Sequence, residues 1–155
     1  MGIVGSAKGL RRLILPRASK EKVLGAVENS CLPVDGSDSD FPADLPQRLQ
    51  RYCNGERVDF PDRLDLSVAT RFQQDVWAIT KNIPYGQTRS YGWVAVQLGK
   101  PKAMRAVGQA LGRNPLPIII PCHRVVRSDG GLGGFSGGLD MKKLLLRLEK
   151  SYPGV

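Results

Sequence analysis

Along the first part of the chain, hydrophobic and polar residues alternate with a strand-like or a helix-like period in short segments. The pattern predicts a strand over 12–15 and helices over 19–28 and 43–53, with a loop rich in Pro, Gly, Ser and Asp over 30–40. The second helix ends at a glycine, and its apolar face consists of Leu45, Leu49 and Tyr52. Residues 56–69 have no regular period, and we interpret them as a linker.

The pattern sharpens from Thr70 onward. Thr70 and Gln73 have the spacing of a capping box, which predicts a helix over 70–82. Its predicted buried face consists of Phe72, Val76, Trp77 and Ile79.

Two short helices joined by a tight turn follow. The first is predicted over 91–98 after a capping serine, and the second over 101–111 with Pro101 in its first turn. A pair of this kind joined at Gly99 is typical of a helix-turn-helix. Arg105 lies near the start of the second helix.

In the last third of the chain, an apolar segment precedes Cys122 and a glycine-rich segment follows it. An apolar stretch over 116–120 predicts a strand that runs into Cys122, and 130–138 contain six glycines, a loop whose backbone can approach a flat ligand closely. A final helix is predicted over 140–150. Its predicted buried residues are Leu144, Leu145 and Leu148.

Positive charge is concentrated in one part of the chain. The net charge is +9, and no acidic residue lies between Asp75 and Asp129. That stretch carries the basic residues Lys81, Arg89, Lys100, Lys102, Arg105, Arg113, Arg124 and Arg127. A solvated surface normally mixes both signs, so a stretch of one sign indicates a polyanionic partner, and we interpret the partner as nucleic acid.

The length fits one domain, or one compact domain with a smaller companion, the composition allows a buried core, and the mixed helix and strand pattern indicates an α+β chain. We place a small α/β portion at 1–63 and a second domain at 64–155, among 155 residues that are 41% hydrophobic. No apolar run approaches the roughly 20 residues that cross a bilayer, so we expect no membrane partner. We also expect a monomer.

The few cysteines indicate the compartment and argue against a metal. An odd count of three does not fit a disulfide framework, so we expect a reducing compartment, the cytoplasm, or the nucleus in a eukaryote. One histidine and no Cys-x-x-Cys spacing predict no metal site, and no motif predicts a cofactor.

Cys122 is the candidate nucleophile. It follows Pro121 and precedes His123 and Arg124, whose positive charge would favour the thiolate. If the strand continued through it, His123 would face the opposite side and could reach the thiol only through a water or a turn. A histidine base needs an orienting group, for which Asp129, Asp140 and Glu149 are candidates, and we favour Glu149.

The segment around Cys122 resembles the active-site signature of the O6-alkylguanine-DNA alkyltransferases, also called methylated-DNA–protein-cysteine methyltransferases. The signature reads Ile-Pro-Cys-His-Arg-Val over 120–125. Further matches in the same order lie at 72–77, 83–86, 90–91, 105–108, 114–115 and 134–138. Because the matches cover about 80 residues without large gaps, the resemblance is specific.

The resemblance implies a fold and a reaction. It implies a winged helix-turn-helix catalytic domain that binds the minor groove of DNA, preceded here by a shortened ribonuclease-H-like portion. The protein would bind double-stranded DNA containing O6-alkylguanine, flip the damaged nucleotide and transfer its alkyl group to its own Cys122, once per molecule. O4-alkylthymine is a second candidate substrate.

The resemblance also implies a role for each matching position. Cys122 matches the acceptor, His123 the histidine that activates it through water, and Glu149 the glutamate behind that histidine. Contacts to the substrate are implied for Tyr91, Ser136, Asn114, Arg124 and Val125. Arg105 matches an arginine that fills the place of the flipped base, and contacts to the DNA backbone are implied for Gln73, Gly92, Lys100 and Ser128.

Two other functions fit part of the sequence. A module that recognises alkylated DNA without chemistry would explain everything except Cys122, and related binding-only proteins carry tryptophan at that position. A cysteine hydrolase would use Cys122 and His123 but would leave the helix-turn-helix and the basic stretch without a purpose. The chain also departs from many relatives in having Phe135 where they carry tyrosine.

Overall fold

The computed structural model describes residues 1–15 and 42–150, which belong to two compact units, Met1–Ser67 and Val68–Val155. Both units combine helices with small sheets, which confirms the prediction of a mixed α+β fold. The predicted helix over 19–28 and loop over 30–40 lie outside the described residues.

The first unit begins with an antiparallel hairpin. Strand β1 (Gly2–Ser6) pairs with strand β2 (Gly9–Ile14), and a register shift lies between Val4 and Gly5. The sequence predicted only 12–15 as a strand, because the glycines of the first segment obscure its alternation. Burial in β2 falls on Leu10, Leu13 and Ile14.

Helix α1 (Leu45–Cys53) has the predicted apolar face, since Leu45, Leu49 and Tyr52 are buried. The segment 56–69 that follows was predicted to be a linker, and the boundary between the two units lies within it, but residues 63–65 pair with the hairpin. The amide of Leu10 donates to the Arg63 carbonyl at 2.8 Å, and the Asp65 amide donates to the Leu10 carbonyl at 2.7 Å. The segment therefore adds to the hairpin edge instead of spanning open solvent.

The second unit starts with helix α2 (Arg71–Lys81). The predicted capping box is confirmed, because the Gln73 amide donates to Thr70 Oγ1 at 3.3 Å and the Thr70 amide donates to Gln73 Oε1 at 2.9 Å. Trp77 is buried and its Nε1 donates to the Ala110 carbonyl at 2.9 Å. This bond joins α2 to a helix 33 residues further along the chain.

Helices α3 (Tyr91–Gln97) and α4 (Met104–Gly112) correspond to the predicted short pair. Ser90 caps α3 by accepting the Trp93 amide hydrogen at 3.0 Å. The predicted start of α4 is wrong by three residues, because the Ala103 amide donates to the Lys100 carbonyl at 2.8 Å and closes a turn around Pro101. Arg105 consequently lies in the first turn of α4.

The predicted strand over 116–120 is not formed. Instead, the Ile120 amide donates to the Leu116 carbonyl at 2.8 Å, and Ile118 adopts a φ of 75°. An extended apolar run and a buried apolar turn have the same composition, so periodicity could not separate them. Three isoleucines in this turn, Ile118, Ile119 and Ile120, are buried.

A single-turn 3-10 helix (Cys122–Arg124) leads directly into strand β4 (Val125–Val126), which pairs in parallel with strand β3 (Arg89–Ser90). The chain ends its described part with helix α5 (Leu139–Leu148). The predicted buried face of this helix is partly wrong: Leu144 is exposed and Leu148 is only partly buried. The buried positions of the helix are Lys142, Leu145 and Leu146, and Glu149 directly after it is buried as well.

None of the helices in the described ranges is long and apolar enough to cross a membrane.

Candidate active site

Cys122 is buried at the start of a turn. Only 4% of the residue is exposed, and its backbone follows the apolar turn over 116–120. The Asn114 Nδ2 donates to the Cys122 Sγ at 3.1 Å and to the Ile120 carbonyl at 2.8 Å, while Asn114 Oδ1 accepts the Leu116 amide hydrogen at 2.9 Å. One asparagine therefore holds the turn beneath Cys122 and contacts its sulfur.

Glu149 brings His123 and Arg124 together in the interior. The His123 Nε2 lies 2.8 Å from Glu149 Oε1, and the Arg124 Nε and Nη2 donate to the two carboxylate oxygens, each at 2.9 Å. Arg124 Nη1 donates to the Ile83 carbonyl at 2.5 Å, and the Gly86 amide donates to Glu149 Oε2 at 3.2 Å. The carboxylate thus joins the end of α5, the 3-10 helix and the turn before β3.

The protonation of this group follows from its contacts. Burial would raise the pKa of Glu149, but hydrogen bonds from His123 and Arg124 outweigh it and lower the pKa to about 2. An ionised carboxylate can only accept hydrogen bonds, so the His123 Nε2 carries the proton that points at it. Burial lowers the pKa of His123 below its usual value, which keeps the ring neutral at pH 7. Its Nδ1 then holds a lone pair, as a general base requires.

The thiol of Cys122 is not activated in the way its neighbours in sequence suggest. Burial raises the pKa of the Cys122 thiol, while the Asn114 hydrogen bond and the positive charge of Lys142 oppose that rise. The prediction that His123 and Arg124 supply the positive charge is wrong, because His123 is neutral and Arg124 is paired with Glu149. The thiol therefore needs a base to remove its proton.

Lys142 is a buried cation that sequence analysis missed. It is 0% exposed, and its Nζ donates to the carbonyls of Val125 at 2.7 Å, Gly134 at 3.2 Å and Leu132. The Nζ also lies 5.9 Å from the centroid of the Tyr91 ring. Burial lowers the pKa of Lys142 to about 8. This residue ties the glycine-rich loop to β4 and places positive charge near the thiol.

A cavity of about 770 Å³ has Cys122 in its lining. Volumes of roughly 300–1,000 Å³ are typical of small-molecule sites. The lining also includes an aromatic side chain, a hydroxyl and two cations, namely Tyr91, Ser136, Arg105 and Arg127. The cavity can accept a flat group with polar edges and present it to the sulfur.

The glycine-rich loop forms one wall of this cavity at very short range. A Cβ on Gly133 would lie 2.4 Å from the Tyr91 hydroxyl oxygen, and Gly133 has a φ of 70°. Burial raises the pKa of Tyr91, which keeps the phenol protonated as a donor. Its hydroxyl lies 3.5 Å from the Gly134 carbonyl. Glycine is therefore required where the backbone meets the tyrosine.

Comparisons with known proteins agree on one family. The family model described as "6-O-methylguanine DNA methyltransferase, DNA binding domain" matches residues 71–151. The chain is 42% identical to a methylated-DNA–protein-cysteine methyltransferase of Methanosarcina barkeri over 153 residues, which cover 96% of this chain and 89% of the relative. The chain belongs to the 6-O-methylguanine DNA methyltransferase family.

Mycobacterial members of the family are similar as well. A methylated-DNA–protein-cysteine methyltransferase of Mycobacterium bovis is 53% identical over 104 residues, which cover 67% of this chain and 62% of the relative. The crystal structure of Mycobacterium tuberculosis OGT in complex with DNA superposes with a TM-score of 0.80 at 40% identity, over 98% of this chain and 88% of that chain.

The residues implied by the resemblance to this family fall into distinct places. The structure brings together Cys122, His123 and Glu149 in the buried part of the site. In the cavity lining it places Tyr91, Ser136, Arg105, Gly92 and Ser128. Asn114 and Val125 lie behind this lining, since Asn114 contacts the sulfur and the Val125 carbonyl accepts from Lys142.

Three implied residues lie away from the cavity lining. The Arg124 side chain is directed to Glu149 and Ile83, so it supports the site from behind. The Gln73 side chain closes the capping box of α2, and the Lys100 Nζ lies 5.4 Å from the centroid of the Phe72 ring.

The residue missed by sequence analysis had a detectable signal. Lys142, Leu145, Leu146 and Glu149 are spaced as one face of a helix, and all four are buried. The sequence prediction instead placed Leu144, Leu145 and Leu148 on the buried face of this helix, because leucine side chains are usually buried. A lysine and a glutamate seven residues apart on the same buried face would have indicated that both are functional or paired.

The contact between Gly133 and Tyr91 makes a testable prediction in this family member. We expect Gly133→Ala to lower the free energy of unfolding by about 1 kcal/mol or more, because the added Cβ meets the tyrosine and because φ is positive. Urea denaturation followed by tryptophan fluorescence measures the change.

Gly134→Ala is the matched control for this prediction. A Cβ on Gly134 would have nothing within 4 Å, and its backbone has no positive φ. We expect the control to unfold with the wild-type midpoint. Equal destabilisation by both substitutions would contradict the specific role of Gly133.

Proposed function

We propose that the chain repairs DNA by transferring the alkyl group of O6-alkylguanine to the Cys122 sulfur. The observation that carries this proposal is the buried thiol in the lining of the cavity, next to a neutral histidine oriented by an ionised glutamate. The names of the similar proteins, methylated-DNA–protein-cysteine methyltransferases, support the same reaction.

In the proposed reaction, His123 takes the proton of Cys122 through a bridging water. A 3-10 helix turns by about 120° per residue, so His123 does not face the opposite side from Cys122 as it would in a strand. Glu149 holds the ring by its Nε2 hydrogen and leaves Nδ1 as the proton acceptor. The positive charge of Lys142 and the Asn114 amide stabilise the thiolate as it forms.

The sulfur then displaces guanine from the alkyl carbon. The new S–C bond forms as the C–O6 bond breaks, and the electron pair of the C–O6 bond stays on the O6 of the departing guanine. Because guanine leaves poorly as an anion, a proton or hydrogen bond directed at its O6 or N3 lowers the barrier. Tyr91 and Ser136 lie in the cavity lining as hydroxyl donors for this step. The thioether product is stable, so each molecule reacts once.

A base inside a duplex is out of reach of a buried thiol, so we propose that the nucleotide is flipped into the cavity. Flipping costs a few kcal/mol of stacking and pairing. Arg105, in the first turn of α4 and in the cavity lining, would occupy the vacated place in the stack. The basic stretch between Asp75 and Asp129 would hold the phosphates.

The fold details implied by the family are part of the same proposal. We assign α3 and α4 as the two helices of a helix-turn-helix, with the parallel pair β3 and β4 and the glycine-rich loop as the wing region. The hairpin and α1 of the first unit would belong to a shortened ribonuclease-H-like portion. The complex of a similar chain with DNA supports DNA as the partner.

Incubation with a duplex containing one O6-methylguanine tests the reaction. We expect intact-protein mass spectrometry to show one added methyl group, mapped to Cys122 and absent in Cys122→Ser. Cys53 is an exposed thiol, so it serves as an internal control for unspecific alkylation. An unmodified protein that still binds the damaged duplex tightly would instead support the recognition module without chemistry.

The pH dependence of transfer tests His123 as the base. A neutral ring is the active state, and burial lowers the pKa of His123, so neutrality persists below the usual pKa of about 6.5. We expect the single-turnover rate at saturating DNA to stay level as pH falls through 6.5 and to decrease only at lower pH. His123→Gln should slow transfer by roughly 10²–10⁴-fold and remove this decrease. A rate that halves near pH 6.5 would contradict the lowered pKa of His123, and a decrease that persists unchanged in His123→Gln would contradict its assignment as the base.

Arg105→Ala tests the assignment of the arginine to the flipped nucleotide. We expect the variant to slow repair of duplex DNA by more than it slows reaction with the isolated O6-alkylguanine base, because only the duplex must be opened. Arg113→Ala is the control, since Arg113 is an exposed cation just beyond α4. Equal slowing on both substrates would mean that Arg105 acts on the chemistry and not on the stack.

A further inference from the structure

A second arginine in the cavity lining, Arg127, belongs to the basic stretch, but the proposed reaction gives it no contact of its own. Its side chain forms an ion pair with Asp129, and both side chains are more than half exposed. The Arg127 amide donates to the Gly131 carbonyl at 2.8 Å, and the Gly131 amide donates to Asp129 Oδ1 at 3.0 Å. The three residues form a compact loop that fixes where the guanidinium lies.

The fit of this loop leaves little freedom. A Cβ on Gly131 would lie 3.1 Å from both the Arg127 Cδ and the Asp129 Oδ1. The backbone at residue 131 is therefore packed against the arginine stem and the carboxylate at once. Such packing holds the guanidinium at the edge of the cavity.

The charges around the cavity make this pair unusual. Among the lining residues the cations are Arg105 and Arg127, and the one anion is Asp129. Asp129 is also the first acidic residue after a stretch of 53 residues without any, from 76 to 128. A carboxylate at this place opposes the binding of a polyanion unless its charge is compensated.

The Arg127–Asp129 ion pair is weak enough for another anion to replace the carboxylate. Both partners face water, where an ion pair between side chains is weak and screened by salt. A phosphate offers the guanidinium the same two-oxygen geometry as a carboxylate, and in DNA it brings the field of many neighbouring charges. Arg127 therefore favours a phosphate when duplex DNA lies against the cavity.

We propose that Arg127 binds a backbone phosphate of the strand that delivers its base to the cavity, and that Asp129 holds the guanidinium in place until this phosphate displaces the carboxylate. The inference rests on the proposed function, because it requires DNA at the cavity. Asp129 keeps the loop ordered through the Gly131 amide while its other oxygen releases the arginine.

Salt-dependent binding to an undamaged duplex tests this role by fluorescence anisotropy. Each phosphate contact contributes about 0.9 to the slope of log Kobs against log salt. Arg127→Gln should reduce the slope by about that amount, so that between 50 and 200 mM salt the wild type loses about 3.5-fold more affinity than the variant. Arg127→Lys keeps the charge and should keep most of the slope.

The matched control is the exposed pair of Arg51 and Glu56 in the first unit, 2.7 Å apart and similarly exposed. Arg51→Gln should leave the slope unchanged. A slope for Arg127→Gln equal to that of the wild type, or a loss no greater than for Arg51→Gln, overturns the phosphate contact. Thermal melting confirms that each variant is folded.

Asp129→Asn tests the role of the carboxylate. The asparagine oxygen can still accept the Gly131 amide hydrogen, so the loop stays ordered while the negative charge is removed. We expect binding to be several-fold tighter at 50 mM salt. Unchanged or weaker binding overturns the role of Asp129 as a stand-in for phosphate. Wild-type protein that neither binds the duplex nor accepts a methyl group would show that the proposed function itself fails, which separates that failure from the failure of Arg127.

Discussion

The site depends on one buried carboxylate that joins groups distant in sequence. Glu149 is 4% exposed and accepts hydrogen bonds from His123, Arg124 and the Gly86 amide. A buried charge is tolerated only when it is paired and its lone pairs are satisfied. Because Arg124 neutralises the carboxylate, His123 need not be charged to do so. Burial lowers the pKa of His123, and the charge of Arg124 acts in the same direction, against the opposing effect of Glu149.

The same contacts also join segments that are distant in sequence. Glu149 lies at the end of α5, His123 and Arg124 lie in the turn after Cys122, and Ile83 and Gly86 flank the turn before β3. Removing either charge would leave the other buried and uncompensated, a change that is strongly destabilising in proteins. Stability and reactivity are thus coupled in the same group, and substitutions here affect both.

The second buried cation is satisfied in a different way. Lys142 is held by three backbone carbonyls, and among the described residues it forms no ion pair with a carboxylate. Dipoles satisfy its hydrogen bonds without cancelling its charge. Arg124 is neutralised by Glu149, whereas the field of Lys142 still reaches Cys122 and opposes the rise in the thiol pKa. Both buried cations support the structure, but of the two only Lys142 also acts electrostatically on the thiol.

Sequence reasoning could predict the elements that local chemistry fixes. The capping box of Thr70 and Gln73, the cap at Ser90 and the apolar face of α1 follow from contacts within one or two turns. It failed where a polar side chain outside an apolar run decides the backbone of that run. The strand expected over 116–120 is a turn because Asn114 bonds across it, and that bond depends on a side chain outside the apolar run.

The candidate catalytic residues followed a similar division. The order of Cys122 and His123 is visible in the sequence, whereas Glu149 was one of three acidic candidates, favoured because its helix must pack on this core and also implied by the resemblance to a family. Neither periodicity nor charge could show that Arg124 forms an ion pair with Glu149. The two residues are 25 positions apart, and only the packing of α5 brings them together. The buried face of α5 was predicted from its leucines, which placed the exposed Leu144 inside. The buried Lys142 was therefore not predicted.

The glycine-rich loop shows why backbone, and not side chains, forms the cavity wall. The carbonyls of Leu132 and Gly134 are turned toward Lys142, so the backbone of the loop has to approach the core closely. A side chain at Gly133 would collide with Tyr91 at that distance. The loop therefore needs glycine because a buried cation draws its carbonyls inward. The cation that assists the thiol is the same group that sets the position of the wall facing it.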